Sequence, residues 1–155
     1  MATITHKRIM SEFARYKNPS YSKNQLMRIE SIDDSLMNYR AIIKGPENTP
    51  YYGFNFELNV RLSDNYPLEP PKIKFVTPIK HININDQGDI CLDILKKPAW
   101  RSVMQIETIV VSILSLLSDP NPSDPFNSEL FHLYNKDKQL YDKYIKTHCL
   151  KYAIK

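Results

Sequence analysis

The spacing of hydrophobic residues predicts one helix at the start of the chain and a series of strands after it. Over residues 5–17, apolar side chains recur at helical intervals, and Lys7, Arg8 and Glu12 fall on the opposite, polar side. Residues 54–62 alternate strictly between apolar and polar, which is typical of a half-buried strand. The other predicted strands are 25–29, 39–44 and 72–76.

The second half of the chain is predicted to be a long loop followed by helices. Residues 77–103 show no sustained period, and loops of this length in compact domains are usually functional. A strongly apolar helix is predicted over 105–118, with Ser102 and Gln105 as its capping box. Two further helices are predicted over 128–134 and 137–152. This order indicates one α+β domain over residues 1–155, with helices packed beside an antiparallel meander.

Composition and charge narrow the class of protein. The chain has 155 residues, 42% hydrophobic and 25% charged, which is ordinary for one globular domain. No apolar run approaches the ~20 residues of a membrane helix, and the first residues lack a secretory signal. Cys91 and Cys149 make no disulfide framework, which favours a reducing compartment, the cytoplasm or nucleus. Lysines and arginines are scattered despite the net charge of +4, so we expect no nucleic-acid or membrane partner.

Four motifs occur in a fixed order along the chain. The long loop contains HININDQGDICLDIL at 81–95; YPLEPP precedes it at 66–71, and Trp100 and then SLLSDPNPSDP at 115–125 follow it. Together they resemble the ubiquitin-conjugating enzyme family, whose usual motif is His-Pro-Asn followed by a cysteine in Ile-Cys-Leu. The resemblance runs almost end to end. It implies the minimal form of that fold, a four-stranded antiparallel meander flanked by an N-terminal helix, a central helix and two C-terminal helices.

Cys91 is the candidate nucleophile. A lone cysteine in an intracellular chain is often only a small buried hydrophobe, but Cys91 lies in a polar loop and we expect it to be accessible. Asp89 and Asp93 flank it and would raise its pKa. This disfavours a cysteine hydrolase, although the fold could still bring a distant histidine close. The surroundings favour a thiol that accepts an already activated acyl group, and the resemblance implies a thioester with ubiquitin.

The resemblance also assigns roles to polar residues around the cysteine. Asn83 donates to the oxyanion of the transition state and can hold its loop, with a turn-stabilising asparagine as the alternative. Asp124 faces the incoming lysine, with an acidic turn residue as the alternative, and Asp93 helps to orient the acceptor. His81 looks like a base for Cys91, but the resemblance implies a structural histidine bonded within its loop.

Several positions depart from the family pattern, among them 28, 80 and 82. Ile82 replaces the usual proline, which frees φ and adds an N–H donor, so we expect altered or slower transfer rather than none. Lys80 stands where many members have an aromatic residue beside the acceptor. Arg28 is expected on the back of the sheet, where its bulk would block a second ubiquitin.

Partners and cofactors follow from the resemblance alone. It implies ubiquitin, a ubiquitin-activating enzyme, RING or HECT ligases and protein substrates as partners of a monomer, with no metal or organic cofactor. The implied contact residues are Lys7, Arg8, Leu68, Ser102 and Val103 for the activating enzyme and ligases, and Leu92 and Val111 for ubiquitin. Two alternatives stay open: a carrier of a ubiquitin-like modifier, and a catalytically weak variant that only binds ubiquitin or ligases.

Overall fold

The computed structural model describes residues 3–18, 26–96 and 98–155. The helices are α1 (Ile4–Lys17), α2 (Ile106–Ser118), α3 (Ser128–Lys136) and α4 (Lys138–Tyr152), and the strands are β1 (Met27–Ser31), β2 (Asn38–Lys44), β3 (Asn55–Arg61) and β4 (Lys72–Phe75). The predicted α+β fold is therefore confirmed. The first predicted strand was placed from residue 25, which lies outside the described residues.

The four strands form one antiparallel sheet in the order β1-β2-β3-β4. The alternation in β3 buries Phe56, Leu58 and Val60 completely, and the polar residues between them lie on the outer face. α1 contacts β1 and α2 contacts β2, so the core lies on the inner face of the sheet. The predicted antiparallel meander is therefore confirmed.

Polar side chains set the starts of the helices. Thr3 accepts the N–H of His6 at the start of α1, and Asp137 accepts the N–H of Leu140 at the start of α4. α2 begins at Ile106, so the predicted capping box of Ser102 with Gln105 is wrong. Gln105 is itself the N-cap, and its N–H donates to the hydroxyl of Thr108 at 3.3 Å.

The prediction that Glu12 lies on the polar side of α1 is wrong, because its side chain is buried with only 3% exposed. The carboxylate accepts hydrogen bonds from Arg8 at 2.8 Å, from the hydroxyl of Tyr16 at 2.6 Å and from the hydroxyl of Tyr66. It also accepts the N–H of Ile106 at 3.3 Å. A buried carboxylate with four donors joins α1 to the start of α2.

Backbone contacts hold the long loop against the edge of the sheet. Gly88 has φ +88°, and its carbonyl accepts the N–H of Phe75 at 2.9 Å. A Cβ at Gly88 would lie 2.2 Å from the Phe75 carbonyl oxygen, so only glycine fits there. Trp100 is buried and donates to the Pro67 carbonyl at 2.8 Å, which packs the end of the loop. Over the described ranges, no helix is long and apolar enough to cross a bilayer.

Candidate active site

Asn83 connects the two loops that form the site. Its side-chain Nδ2 donates to the carbonyl of Asn121 at 2.8 Å and to that of Asp124 at 3.3 Å, while its Oδ1 accepts the N–H of Asn121 at 2.8 Å. Its own backbone carbonyl accepts the N–H of Cys91 at 2.9 Å. A fully buried asparagine therefore holds the cysteine loop and the 119–125 loop in a fixed relation.

His81 is fully buried behind this network. Its Nε2 lies 2.9 Å from the carbonyl oxygen of Leu116, and its Nδ1 lies 2.9 Å from the backbone N–H of Asn83. A carbonyl needs a donor and an amide N–H needs an acceptor, so these partners place the proton on Nε2. Burial lowers the pKa of His81 to about 4. With a neutral ring and both nitrogens engaged, His81 is unsuited to serve as a base for Cys91.

Cys91 and Asp124 are brought together across the two loops. The thiol of Cys91 donates to Oδ2 of Asp124 at 3.3 Å. Cys91 is only 6% exposed, so the prediction that it is accessible is wrong for the free protein. Asp124, by contrast, is exposed, so the sulfur lies just beneath a surface carboxylate. Sequence separation of 33 residues hides this pairing from any local pattern.

The electrostatic surroundings of Cys91 favour the protonated thiol. Burial and then the hydrogen bond to Asp124 raise its pKa, and the nearby positive charge of Lys96 opposes this. Asp93, the first residue of a 3-10 turn, adds to the rise in pKa through its charge. Lys96 lies only five residues after Cys91 in the chain, but its effect is outweighed and the pKa of the thiol is raised.

The residues at positions 80 and 82, which differ from the family pattern, both have defined contacts in this structure. Ile82 is 1% exposed and packs in the core, and its carbonyl accepts the N–H groups of Phe126 and Asn127. Lys80 forms an ion pair with Asp86 at 2.8 Å, which raises the pKa of the lysine. Ile82 thus keeps the adjoining Asn83 against the 119–125 loop.

The predicted partner residues fall into exposed and engaged groups. Leu68 is 73% exposed and Val103 is 81% exposed, so both are available to a partner. Lys7 is exposed on α1, and Val111 is exposed on α2. Leu92 is half-buried against the core and precedes the 3-10 turn.

Arg8 behaves differently from the solvated cation that the helix pattern predicts. Its guanidinium donates to the carbonyls of Ser102 and Met104, pairs with Glu12 at 2.8 Å and lies over the ring of Tyr66. The side chain is 19% exposed. Arg8 therefore holds the loop that presents Ser102 and Val103, and this leaves Lys7 as the exposed cation of the pair.

Comparison with known proteins decides the family. The family model for ubiquitin-conjugating enzymes matches residues 8–149, which is nearly the whole chain. The chain belongs to the ubiquitin-conjugating enzyme family. This match confirms the resemblance that the motifs around Cys91 indicate. Membership implies ubiquitin, an activating enzyme and ligases as its partners in general.

Two curated relatives of this ubiquitin-conjugating chain come from very different sources. A probable ubiquitin-conjugating enzyme E2 of Acanthamoeba polyphaga mimivirus is 47% identical over 143 residues, covering 92% of this chain and 90% of that protein. A probable ubiquitin-conjugating enzyme E2 of Arabidopsis thaliana is 40% identical over 122 residues, covering 79% of each.

Solved structures agree with the fold of this family member. A Plasmodium yoelii chain whose crystal structure is described as a ubiquitin conjugating enzyme superposes with a TM-score of 0.88 at 36% identity, covering 100% of this chain and 99% of that one. A Toxoplasma gondii ubiquitin conjugating enzyme domain gives 0.82 at 34% identity, with coverage of 95% and 97%.

Some residues of the site escape analysis of the sequence. Asn121 supplies two of the three backbone groups that bind the side chain of Asn83, and its only signal is its place in the proline-rich 119–125 loop. The charge of Lys96 acts to lower the pKa of Cys91. Its position depends on the 3-10 turn that precedes it, which the sequence pattern does not predict. Glu12 and Arg8 support the loop that presents Ser102 and Val103, and helical periodicity places both on a solvated face.

Proposed function

We propose that this protein accepts ubiquitin as a thioester on Cys91 and transfers it to a lysine of a protein substrate. The observation that supports this most directly is the contact of Cys91 with Asp124, held in place by the amide of Asn83. In a member of this family, that contact joins the nucleophile to the group that receives the lysine.

The first transfer is an exchange between two sulfurs. The thiol of Cys91 attacks the thioester carbonyl carbon presented by the activating enzyme, a new C–S bond forms, and the bond to the donor cysteine breaks. The proton of Cys91 passes to a nearby acceptor, and the departing thiolate is protonated in turn. Because the acyl group arrives activated, a thiol with a raised pKa suffices, and it also reacts slowly with other electrophiles.

In the second transfer, the amine of the acceptor lysine replaces the Cys91 thiol as the partner of the Asp124 carboxylate. Once Cys91 is acylated its sulfur has no proton to donate, so the carboxylate of Asp124 becomes available to the lysine. At neutral pH only about one lysine in a thousand is uncharged, so a carboxylate that binds the ammonium and favours loss of its proton assists attack. The amine attacks the thioester carbonyl, the C–S bond breaks, and an amide forms.

Asn83 serves the second step in two ways in this proposal. In the free protein both of its N–H groups bind carbonyls of the 119–125 loop, at 2.8 Å to Asn121 and 3.3 Å to Asp124. The longer bond is the one available for exchange when an oxyanion develops. Asn83 therefore holds the loop throughout and donates to the oxyanion only in the transition state.

The proposed partner surfaces are assigned from the exposure of their side chains. Leu68 and Val103 offer apolar anchors to a RING or HECT ligase, beside the exposed residue Ser102. Lys7 on α1 attracts the activating enzyme, and Arg8 supports the ligase-side loop from within. Val111 on α2, together with Leu92 beside Cys91, contacts the carried ubiquitin. We propose that the protein acts as a monomer in the cytoplasm or nucleus, where Cys91 stays reduced.

A thioester-charging assay tests the proposal. The protein is incubated with ubiquitin, a ubiquitin-activating enzyme and Mg-ATP, and the products are separated on a non-reducing gel. We expect a band one ubiquitin heavier that a thiol reagent removes. Cys91→Ser should give no such band or a thiol-resistant one, while Cys149→Ala, at the other cysteine, should charge normally.

The same assay separates the alternatives. Charging only by a ubiquitin-like protein with its own activating enzyme would assign a different cargo to Cys91. Absence of charging with ubiquitin and with a panel of such proteins would refute the enzyme proposal and favour a binding-only variant. Charging that survives Cys91→Ser as a thiol-sensitive band would place the thioester on another residue.

A further inference from the structure

The outer face of the sheet is divided into two electrostatically different halves. On the β1–β3 side, Arg40 pairs with Glu57 at 2.9 Å and with Glu30 at 3.3 Å, and Arg28 lies 3.9 Å from Glu30. Arg28 and Arg40 therefore each have a carboxylate beside them. This half is a neutralised ladder of the kind that stabilises solvated sheets.

The β3–β4 half carries cations without counterions. In the antiparallel register, Arg61 lies directly opposite Lys72, and Lys74 lies opposite Asn59 on the same face. Within the described part of the chain, none of these three cations forms an ion pair. Like charges directly opposite on neighbouring strands are destabilising. The fold therefore tolerates a repulsion here that it neutralises on the other half.

These cations line a groove rather than a flat surface. The groove has a volume of about 450 Å³ and is lined on its far side by Asp89, Ile90 and Leu95 from the active-site loop. Asp89 is the one acidic residue among its lining residues, and its carboxylate already accepts from Asn85 at 3.0 Å. The groove thus keeps a net positive charge, with an apolar wall on one side.

The groove ends beside the nucleophile. Lys74 forms a β-bridge with Asp89, and Ile90 lies between Asp89 and Cys91 in the chain. Two residues of extended chain span about 7 Å, so the bridge lies within that distance of the Cys91 backbone. A peptide in the groove would have its neighbouring residues within reach of the thioester.

We propose that this groove binds an acidic segment of the substrate next to the lysine that receives ubiquitin. The proposal rests on the proposed function only for the identity of the acceptor; the binding itself does not depend on it. Lys72 and Lys74 are alternate residues of a strand and are about 7 Å apart, which is the spacing of alternate side chains in an extended peptide. Acidic residues two positions apart would therefore each meet a cation, with Arg61 flanking them.

The lining favours a peptide over a nucleic acid. The residues of the groove include no aromatic side chain on which a base could stack. Ile90 and Leu95 instead offer apolar contact to side chains between the acidic positions. A single strand of nucleic acid would gain only phosphate contacts there.

Binding of a short peptide to the protein without ubiquitin on Cys91 tests the groove directly. A fluorescent peptide with one lysine and alternating glutamates is titrated and followed by anisotropy, beside a counterpart with glutamine in place of glutamate. We expect clear preference for the acidic peptide, weakening with salt. Lys72→Gln with Lys74→Gln should weaken its binding about fivefold, since each of the two exposed ion contacts contributes roughly twofold.

A matched control removes the same charge elsewhere. Lys143→Gln with Lys146→Gln takes two exposed cations from α4 and should change binding by less than about twofold. Equal losses in both double variants, or no preference for the acidic peptide, would overturn the proposal. Tighter binding of a DNA oligonucleotide of equal charge would overturn it as well and assign the groove to nucleic acid.

Transfer of ubiquitin from the thioester on Cys91 tests whether the groove selects the substrate. With both peptides as lysine acceptors, the ratio of acidic to neutral transfer rates should fall toward one in the Lys72→Gln/Lys74→Gln variant and not in the α4 control. If the protein forms the thioester but the ratio of acidic to neutral transfer rates is unchanged in the Lys72→Gln/Lys74→Gln variant, the groove proposal is refuted and the proposed function stays intact. A protein that never charges would refute the proposed function, while the binding titration still decides the groove.

Discussion

Replacement of Glu12 by glutamine tests whether the buried carboxylate stabilises the junction of α1, α2 and the loop that presents Ser102 and Val103. The carboxylate accepts from Arg8, from two tyrosine hydroxyls and from the N–H of Ile106. A glutamine is nearly the same shape, but its single carbonyl oxygen accepts only two of these four donors. The guanidinium of Arg8 also loses its counterion while it stays largely buried.

The expected cost of Glu12→Gln follows from these losses. Two hydrogen bonds to a charged group contribute about 1.5 kcal/mol each at the lower end of their range, or about 3 kcal/mol together. Removing one partner of a fully buried ion pair costs about 3–5 kcal/mol, and the 19% exposure of Arg8 places this pair at the lower end. We therefore expect about 3 kcal/mol less stability and a Tm lower by about 6–12 °C.

Urea unfolding followed by circular dichroism measures this change. Glu129→Gln provides the matched control, because Glu129 lies exposed in the first turn of α3, and we expect it to change stability by less than about 0.5 kcal/mol. A Glu12→Gln variant within about 0.5 kcal/mol of the unaltered protein, with the same urea dependence, would show that the carboxylate network adds nothing to stability.

Three further predictions concern the active-site loops. Gly88→Ala should cost more than about 2 kcal/mol in urea unfolding because its Cβ would clash with a backbone carbonyl, while Gly53→Ala, with φ +90° and open space around it, should cost about 1 kcal/mol. The low pKa of His81, about 4 against 6.5 unfolded, makes the unfolded state bind the extra proton, so stability should fall by up to about 3 kcal/mol as pH drops from 6.5 to 4. Asp124→Asn should lower the pKa of Cys91 and speed its alkylation by iodoacetamide near pH 8, because the carboxylate that favours the thiol is gone.

Each of these has a result that would contradict it. Equal costs for the two glycine variants would mean that the loop shifts to admit a methyl group. A His81→Gln variant that loses stability with acid as steeply as the unaltered protein would assign the pH dependence to other groups. For the thiol, Asp34→Asn is a remote control, and equal alkylation rates in both aspartate variants would show that Asp124 does not act on Cys91.

Much of the fold is predictable because its signals are local. The alternation along β3 and the apolar spacing of α2 follow directly from the side-chain periods of strand and helix. The motif around Cys91 indicates the candidate nucleophile, and the resemblance points to Asp124 in the proline-rich 119–125 loop. The sequence also indicates correctly that the long loop after β4 lacks regular structure apart from isolated bridges and one 3-10 turn.

The relations between these segments depend on tertiary structure. Glu12 is buried only because Tyr66 and the start of α2 pack on that side of α1, which no period within the helix encodes. The contact between Cys91 and Asp124 joins positions 33 residues apart, and Asn83 sets it through carbonyls of the facing loop.

The cationic groove shows the same division. The sequence by itself determines that Arg61 and Lys72 are charged and lie on exposed strand positions. Only the register of β3 with β4 makes them direct neighbours, and only the long loop turns their face into a groove beside the nucleophile. Local spacing determines which side of an element each residue faces, whereas distances between elements follow from packing and hydrogen bonding over the whole domain.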